Sequence, residues 1–144
     1  MYKTILFFVF VGSLSAAGLP VDHGGFLPPY IYAALYAKTL GLSVNIIGVC
    51  ESACVAKLAS GTGLRIAKDA IFAVHEVRTV YMGGNTPPSY EKGVRSEEIT
   101  ERFANFLPKC ARDLFDSRHA FDGPELVRFT GQEVLDACPE LKGM

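Results

Sequence analysis

The chain has 144 residues, the size of one ordinary domain, and 49% of them are hydrophobic, including 10 Phe and 6 Tyr. That much apolar material excludes a wholly disordered chain. Fourteen Lys and Arg against 15 Asp and Glu leave a net charge of −1, without the one-signed field that a nucleic-acid or anionic-membrane binder uses.

Residues 1–17 read as an export signal. Lys3 is their only charge, Ile5 to Val11 is an apolar run, and Ser13-Leu14-Ser15-Ala16-Ala17 offers small residues for cleavage. The run is short of the ~20 residues a membrane helix needs. Its β-branched and aromatic side chains also suit a buried strand; the order charge, apolar run, small residues favours the signal. Residues 18–144 then make a single domain, periplasmic or secreted, held to a membrane only if the segment stays uncleaved. Cys50, Cys54, Cys110 and Cys138 agree with an oxidising compartment and admit two disulfides in three connectivities. Cys50 and Cys54 are four apart, which is not the spacing of a redox C-x-x-C pair.

Pro28 and Pro29 ahead of Tyr30 to Leu40, with Gly41 behind, punctuate a helix. It is apolar nearly all round, so it is expected to be largely buried. Ser43 to Cys50 reads as a strand, Ser52 to Ser60 as a short helix of small residues closed by Gly61, and Leu64 to Ala67 and Ala70 to Arg78 as two more strands. Met82 to Ser89, with two Gly and two Pro, is a loop. Ser96 is a helix cap followed by Glu97 and Glu98, and Ile99, Phe103, Phe106, Leu107, Cys110 and Leu114 make an apolar stripe at helical spacing. Pro108 inside that stripe is expected to kink or divide the helix. After a loop from Ser117 to Pro124, Thr130 caps a last short helix through Asp136. The alternation predicts an α/β layer with parallel pairing.

Three segments carry chemistry. In Gly48-Val49-Cys50-Glu51-Ser52-Ala53-Cys54 a strand ends, a serine follows, and a helix begins; free amides at a helix start can stabilise an oxyanion. This has the physics of a nucleophile elbow without its G-x-S-x-G pattern. The plainer reading makes Ser52 an ordinary helix cap. In Ala70-Ile71-Phe72-Ala73-Val74-His75-Glu76 an imidazole ends an apolar strand, and a Ser–His pair is the minimum for an activated hydroxyl. The plainer reading is a half-buried core histidine. His23-Gly24-Gly25 lets backbone approach a ligand closely, or is simply a turn.

Taken in order, Gly24-Gly25, a helix, a strand, Cys50-x-Ser52-Ala53-Cys54, a helix, Arg65-x-Ala67 and Ala70 to His75 resemble the ClpP/crotonase superfamily over about Gly24 to Arg78. The set is most similar to exported ClpP-like proteins with a C-x-S-A-C segment. The resemblance implies a small, largely parallel sheet flanked by helices; only about 23 residues precede the Gly-Gly turn, so the sheet is either N-terminally reduced or takes the apolar N-terminal run as its missing strand. It implies a serine peptidase with Ser52 as nucleophile, His75 as general base and the Gly25 and Ala53 amides as oxyanion hole, with Arg65 as scaffold. His23 stands where the family often has proline. The family's acid falls near Val127, which cannot serve; Asp122 is the nearest free carboxylate, with Asp113 and Asp116 as others, and Glu76 is expected on the opposite strand face from His75. A Ser–His dyad without an acid is the further option. The implied substrate is a peptide or protein, and superfamily relatives assemble as trimers or rings, so self-association is expected. No cofactor is implied, and no G-x-x-x-x-G-K-[ST] marks an ATP site.

Three rivals stand beside this. Cys50 or Cys54 acting with His75 requires a free thiolate, which a disulfide removes. A zinc site from Cys50, Cys54 and His75 fits no standard ligand spacing. A catalytically inactive secreted binding module keeps the fold and loses the chemistry.

Overall fold

The computed structural model describes residues 20–80 and 93–144; the expected signal at 1–17 and the expected loop at 82–89 lie outside the described residues. Strands and helices interleave as β1 (Val21–Asp22), α1 (Leu27–Leu40), β2 (Val44–Ile46), β3 (Val49–Glu51), the 3-10 helix η1 (Ser52–Ala59), β4 (Leu64–Ile66), β5 (Ile71–Val74), β6 (Arg78–Thr79), β7 (Val94–Arg95), α2 (Glu97–Phe106), α3 (Lys109–Asp116), β8 (Val127–Thr130) and α4 (Gly131–Ala137). The result is a mixed α/β architecture with a small, mostly parallel sheet flanked by helices.

The main sheet has the order β1-β3-β5-β8. Its first three strands are parallel, with Asp22 opposite Cys50, Cys50 opposite Phe72 and Glu51 opposite Ala73. β8, not anticipated as a strand, closes one edge antiparallel to β5, with Phe129 opposite Phe72. β2 and β4 form a separate parallel pair, and β6 and β7 an antiparallel one.

The strand expected over Ser43 to Cys50 is two strands. The chain turns at Gly48, whose φ is 70° and where an added Cβ would overlap the Pro20 carbonyl oxygen. That carbonyl accepts Val49 N at 2.8 Å, which places β3 beside β1 while β2 leaves for β4. The apolar pair Ile46-Ile47 and Gly48 interrupt the alternation where the strands part, but which strand each half joins is set by the tertiary pairing. Ala70 to Arg78 likewise divides, β5 stopping at Val74 and β6 beginning at Arg78.

Helix punctuation works as the residues suggest. α1 carries Pro in its first turn and ends on Gly41 at φ 64°. Ser96 accepts from Ile99 N, Thr130 and Glu133 form a reciprocal capping box, and Pro108 divides α2 from α3. α1 departs from expectation in burial: only Ala34 and Ala37 are buried, while Tyr32 (72% exposed), Tyr36 (63%), Leu40 (53%) and Leu35 (44%) face outward. A helix apolar all round carries no mark of which face packs. The small alanines win because they permit close approach to η1.

The core lies between sheet and helices, around Leu58, Leu64, Ile66, Phe72, Phe115 and Phe129. Phe115 and Phe129 rings are 4.8 Å apart, and Phe103 meets Phe121 edge-on at 6.3 Å. The cysteines pair as Cys50–Cys54 and Cys110–Cys138, each with Cα atoms 5.3 Å apart. The second bridge ties α3 to the end of α4.

Candidate active site

β3 ends at Glu51 and η1 begins at Ser52 without a connecting loop. Strand must become helix within one residue, and Ser52 absorbs the change with φ 55°. Among the described residues only His119 shares such a backbone outside glycine. A left-handed serine costs on the order of 1–3 kcal/mol, and such strain concentrates at functional turns. The helix-cap reading of Ser52 does not hold: the cap position is Glu51, and no side chain caps η1. A helix start leaves its first amides without intrahelical partners, and the Glu51 side chain does not cap those of η1.

The Gly24-Gly25 turn follows β1 and lies against this junction. An added Cβ on Gly24 would sit 2.5 Å from the Glu51 carbonyl oxygen, 2.7 Å from Ala53 N and 3.0 Å from Ser52 Cβ. Only glycine allows that approach, and its φ of 71° adds a second reason. Gly25, at φ 134°, has open space where a side chain would be. Its amide and that of Ala53 thus belong to two backbone segments in contact.

His75 follows the last residue of β5. Because Glu51 is opposite Ala73 in parallel register, Ser52 leaves its strand beside Val74, one residue short of His75. Both residues follow the same ends of neighbouring parallel strands, β3 and β5. Among the described residues, no hydrogen bond joins Ser52 Oγ to the imidazole. His75 Nδ1 lies 2.5 Å from the Glu76 carbonyl oxygen. A carbonyl only accepts, so Nδ1 carries the proton and, in the neutral ring, Nε2 carries the lone pair. Burial pushes the imidazole below its ordinary 6.5; the Glu76 carbonyl and the Glu76 and Glu51 charges oppose this, Arg78 adds to it, and the net direction is down. Burial thus favours the neutral ring.

Glu76 itself is 2% exposed and does not face solvent as a spare carboxylate. It accepts from Arg78 Nε at 2.8 Å and lies 3.3 Å from Arg95 Nη1, joining the bases of β6 and β7. Its amide donates to the Gly123 carbonyl at 3.0 Å, and Arg95 Nη1 donates to the Asp122 carbonyl at 2.5 Å. The segment holding Asp122 thus reaches the end of β5 through its backbone. The Asp122 carboxylate is exposed and pairs with His119 Nδ1 at 2.9 Å. Asp113 pairs with Lys109, Asp116 ends α3, and half-buried Val127 begins β8. His23 Nδ1 meets Glu51 Oε2 at 2.8 Å, and Arg128 lies 3.7 Å from the same carboxylate. Arg65 donates to the Thr62 and Leu64 carbonyls, closing the turn before β4.

The disulfides dispose of the cysteine rivals. Cys50 and Cys54 are bonded to each other, so neither is a thiolate nucleophile or a zinc ligand beside His75. Cys110, Cys138 and Glu140 cluster closely enough for a metal, but those two sulfurs are likewise bonded together.

Asp22, Tyr30 and Lys57 went unnoticed in the sequence. Asp22 Oδ1 accepts from Gly24 N at 3.0 Å and from Tyr30 Oη at 2.6 Å, and Oδ2 accepts from Lys57 Nζ at 2.7 Å. The first of these is an Asx turn, for which Asp two residues before Gly is a legible signal. The other two partners come from α1 and η1 and have no local signature. No protein-family model matches the chain, and no curated protein or solved structure does.

Proposed function

We propose that this protein is an exported serine hydrolase of the ClpP/crotonase type that cleaves peptide bonds through an acyl-enzyme. Ser52 Oγ attacks the scissile carbonyl carbon while His75 Nε2 takes its proton. The Gly25 and Ala53 amides hold the negative charge that develops on the carbonyl oxygen. The tetrahedral intermediate collapses, His75 returns the proton to the departing amine, and water then releases the acyl group by the same route. The Glu76 carbonyl takes the orienting role usually given to an acid, because it holds the Nδ1–H tautomer.

The observation that carries this reading is the left-handed backbone of Ser52 at an uncapped strand–helix junction, pressed against a glycine turn. A serine with no capping role in a strained conformation needs a reason, and presentation of a nucleophile supplies one. Two disulfides support an oxidising destination, and no helix of the described residues is long and apolar enough to cross a membrane. The outward Tyr32, Leu35, Tyr36 and Leu40 of α1 support self-association, which sedimentation of the purified domain tests.

A second reading, a binding module that has lost the chemistry, draws on the pairing of the Asp122 carboxylate with His119 and on the absence of a Ser52–His75 hydrogen bond among the described residues. A fluorophosphonate probe separates the two. Covalent label on wild type that disappears in Ser52→Ala supports the hydrolase. Folded wild type that takes no label, or label that survives Ser52→Ala, removes it.

A further inference from the structure

We infer that Asp22 is a positioning residue that, with Lys57 and Tyr30, clamps the two amide donors of the oxyanion hole at a fixed separation; this rests on the acyl-transfer reading above. The donors belong to different pieces of chain, Gly25 to the turn after β1 and Ala53 to the start of η1. The Cys50–Cys54 bridge ties η1 to β3, and β1 pairs with β3, but neither reaches the turn itself. The Asp22 carboxylate joins the turn to η1 directly. One oxygen holds the turn through Gly24 N at 3.0 Å and the start of α1 through Tyr30 Oη at 2.6 Å. The other holds η1 through Lys57 Nζ at 2.7 Å. Tyr30 Oη also lies 3.5 Å from the Gly24 carbonyl oxygen, and the Lys57 ammonium stands 6.0 Å from the Tyr30 ring centre.

Donors must sit within a few tenths of an ångström of the developing oxyanion to act on it, so a loose turn costs rate before it costs fold. The Asp22–Lys57 pair is about one-third exposed on each side (31% and 34%), which limits its share of global stability. Burial pushes the Asp22 carboxyl up, but hydrogen bonds from Lys57, Tyr30 and Gly24 outweigh it and hold the group below its ordinary 3.8. The Tyr30 hydroxyl, hydrogen-bonded to that carboxylate, is pushed up to about 12 and stays a donor. Both shifts favour the charged carboxylate and the protonated hydroxyl that the clamp uses.

The test compares Asp22→Ala, Lys57→Ala, Lys57→Arg and Tyr30→Phe with wild type. It reads the second-order rate of fluorophosphonate labelling at Ser52, the affinity for phenylboronic acid, and kcat and KM on p-nitrophenyl acetate. Asp22→Ala and Lys57→Ala are expected to slow labelling on the order of 100-fold and to weaken boronate binding in parallel. The loss falls on kcat, with KM little changed, because the contact is made only in the transition state. Lys57→Arg recovers most of the rate. The Asp22→Ala/Lys57→Ala double variant is no slower than the worse single one, because both break the same clamp. Wild-type rates in Asp22→Ala and Lys57→Ala overturn the inference while leaving the hydrolase reading intact. Should Asp22→Ala fail to fold, undiminished rates in both Lys57→Ala and Tyr30→Phe overturn it equally. Wild type that takes no label removes the hydrolase reading, and this inference with it.

Discussion

Gly24 and Ser52 are in backbone-to-side-chain contact: a Cβ placed on Gly24 would lie 3.0 Å from that of Ser52 and closer still to the Glu51 carbonyl oxygen and Ala53 N. The two residues are far apart in the chain, and β1 pairing with β3 brings them together. Much of what the site can do follows from how little room that contact leaves.

Gly24→Ala tests the contact directly. The new methyl must displace backbone, not a flexible side chain tip, and it enters at a φ of 71°. We expect a loss of about 2–4 kcal/mol in urea unfolding and no fluorophosphonate label on the folded fraction. Stability and labelling equal to wild type would show that the turn does not press on the Ser52 junction.

Ser52 gives a stability test independent of activity. Ser52→Ala removes the hydroxyl but keeps the left-handed strain, whereas Ser52→Gly removes both. Ser52→Gly is expected to be the more stable of the two by about 1 kcal/mol, read as a difference in urea midpoint at constant slope. A glycine variant less stable than the alanine variant would remove the strain argument.

The downward direction of His75 fixes two pH dependences. The acid limb of labelling at Ser52 should be centred below pH 6.5, because burial favours the neutral imidazole. A labelling limb centred above 6.5 contradicts a buried, desolvated imidazole. In stability, between its folded and unfolded values the unfolded chain binds the extra proton. The contribution is therefore fully present above 6.5 and is lost as pH falls through the folded value. His75→Ala should abolish labelling, keep the melting temperature within a few degrees at pH 7.5, and flatten that acid slope. Collapse of the fold at pH 7.5 would return His75 to the role of a core histidine.

The two disulfides should separate in their effects. Cross-linking across 28 residues is worth about 3.5 kcal/mol by loop entropy, and across 4 residues about 2. Cys110→Ser with Cys138→Ser should therefore lower the melting temperature more, yet leave labelling of the folded protein near wild type. Cys50→Ser with Cys54→Ser should lower it less and slow labelling, because the ring it opens contains Ser52. Equal effects of both pairs on labelling rate would remove any local role for the Cys50–Cys54 bridge.

Much of this was legible in the residues alone. The starts of α2 and α4 and both ends of α1 follow from Ser96, Thr130, the Pro28-Pro29 pair and Gly41. The division at Pro108 follows from a missing amide and a ring clash. The strand–Ser52–helix junction was legible for the same reason, since it depends on interactions within a few residues of chain; the strand expected over Ala70 to Arg78 was legible as a strand, but not its end at Val74. Tertiary contacts decided the rest. The turn at Gly48 is set by the Pro20 carbonyl, the exposed face of α1 by which alanines meet η1, and the pairing of four cysteines by where α3 and α4 come to lie. Asp22 gathers Tyr30 from 8 residues away and Lys57 from 35. A side chain's local neighbours are written in the order of the chain, but a partner that distant is chosen only when the whole core closes around it.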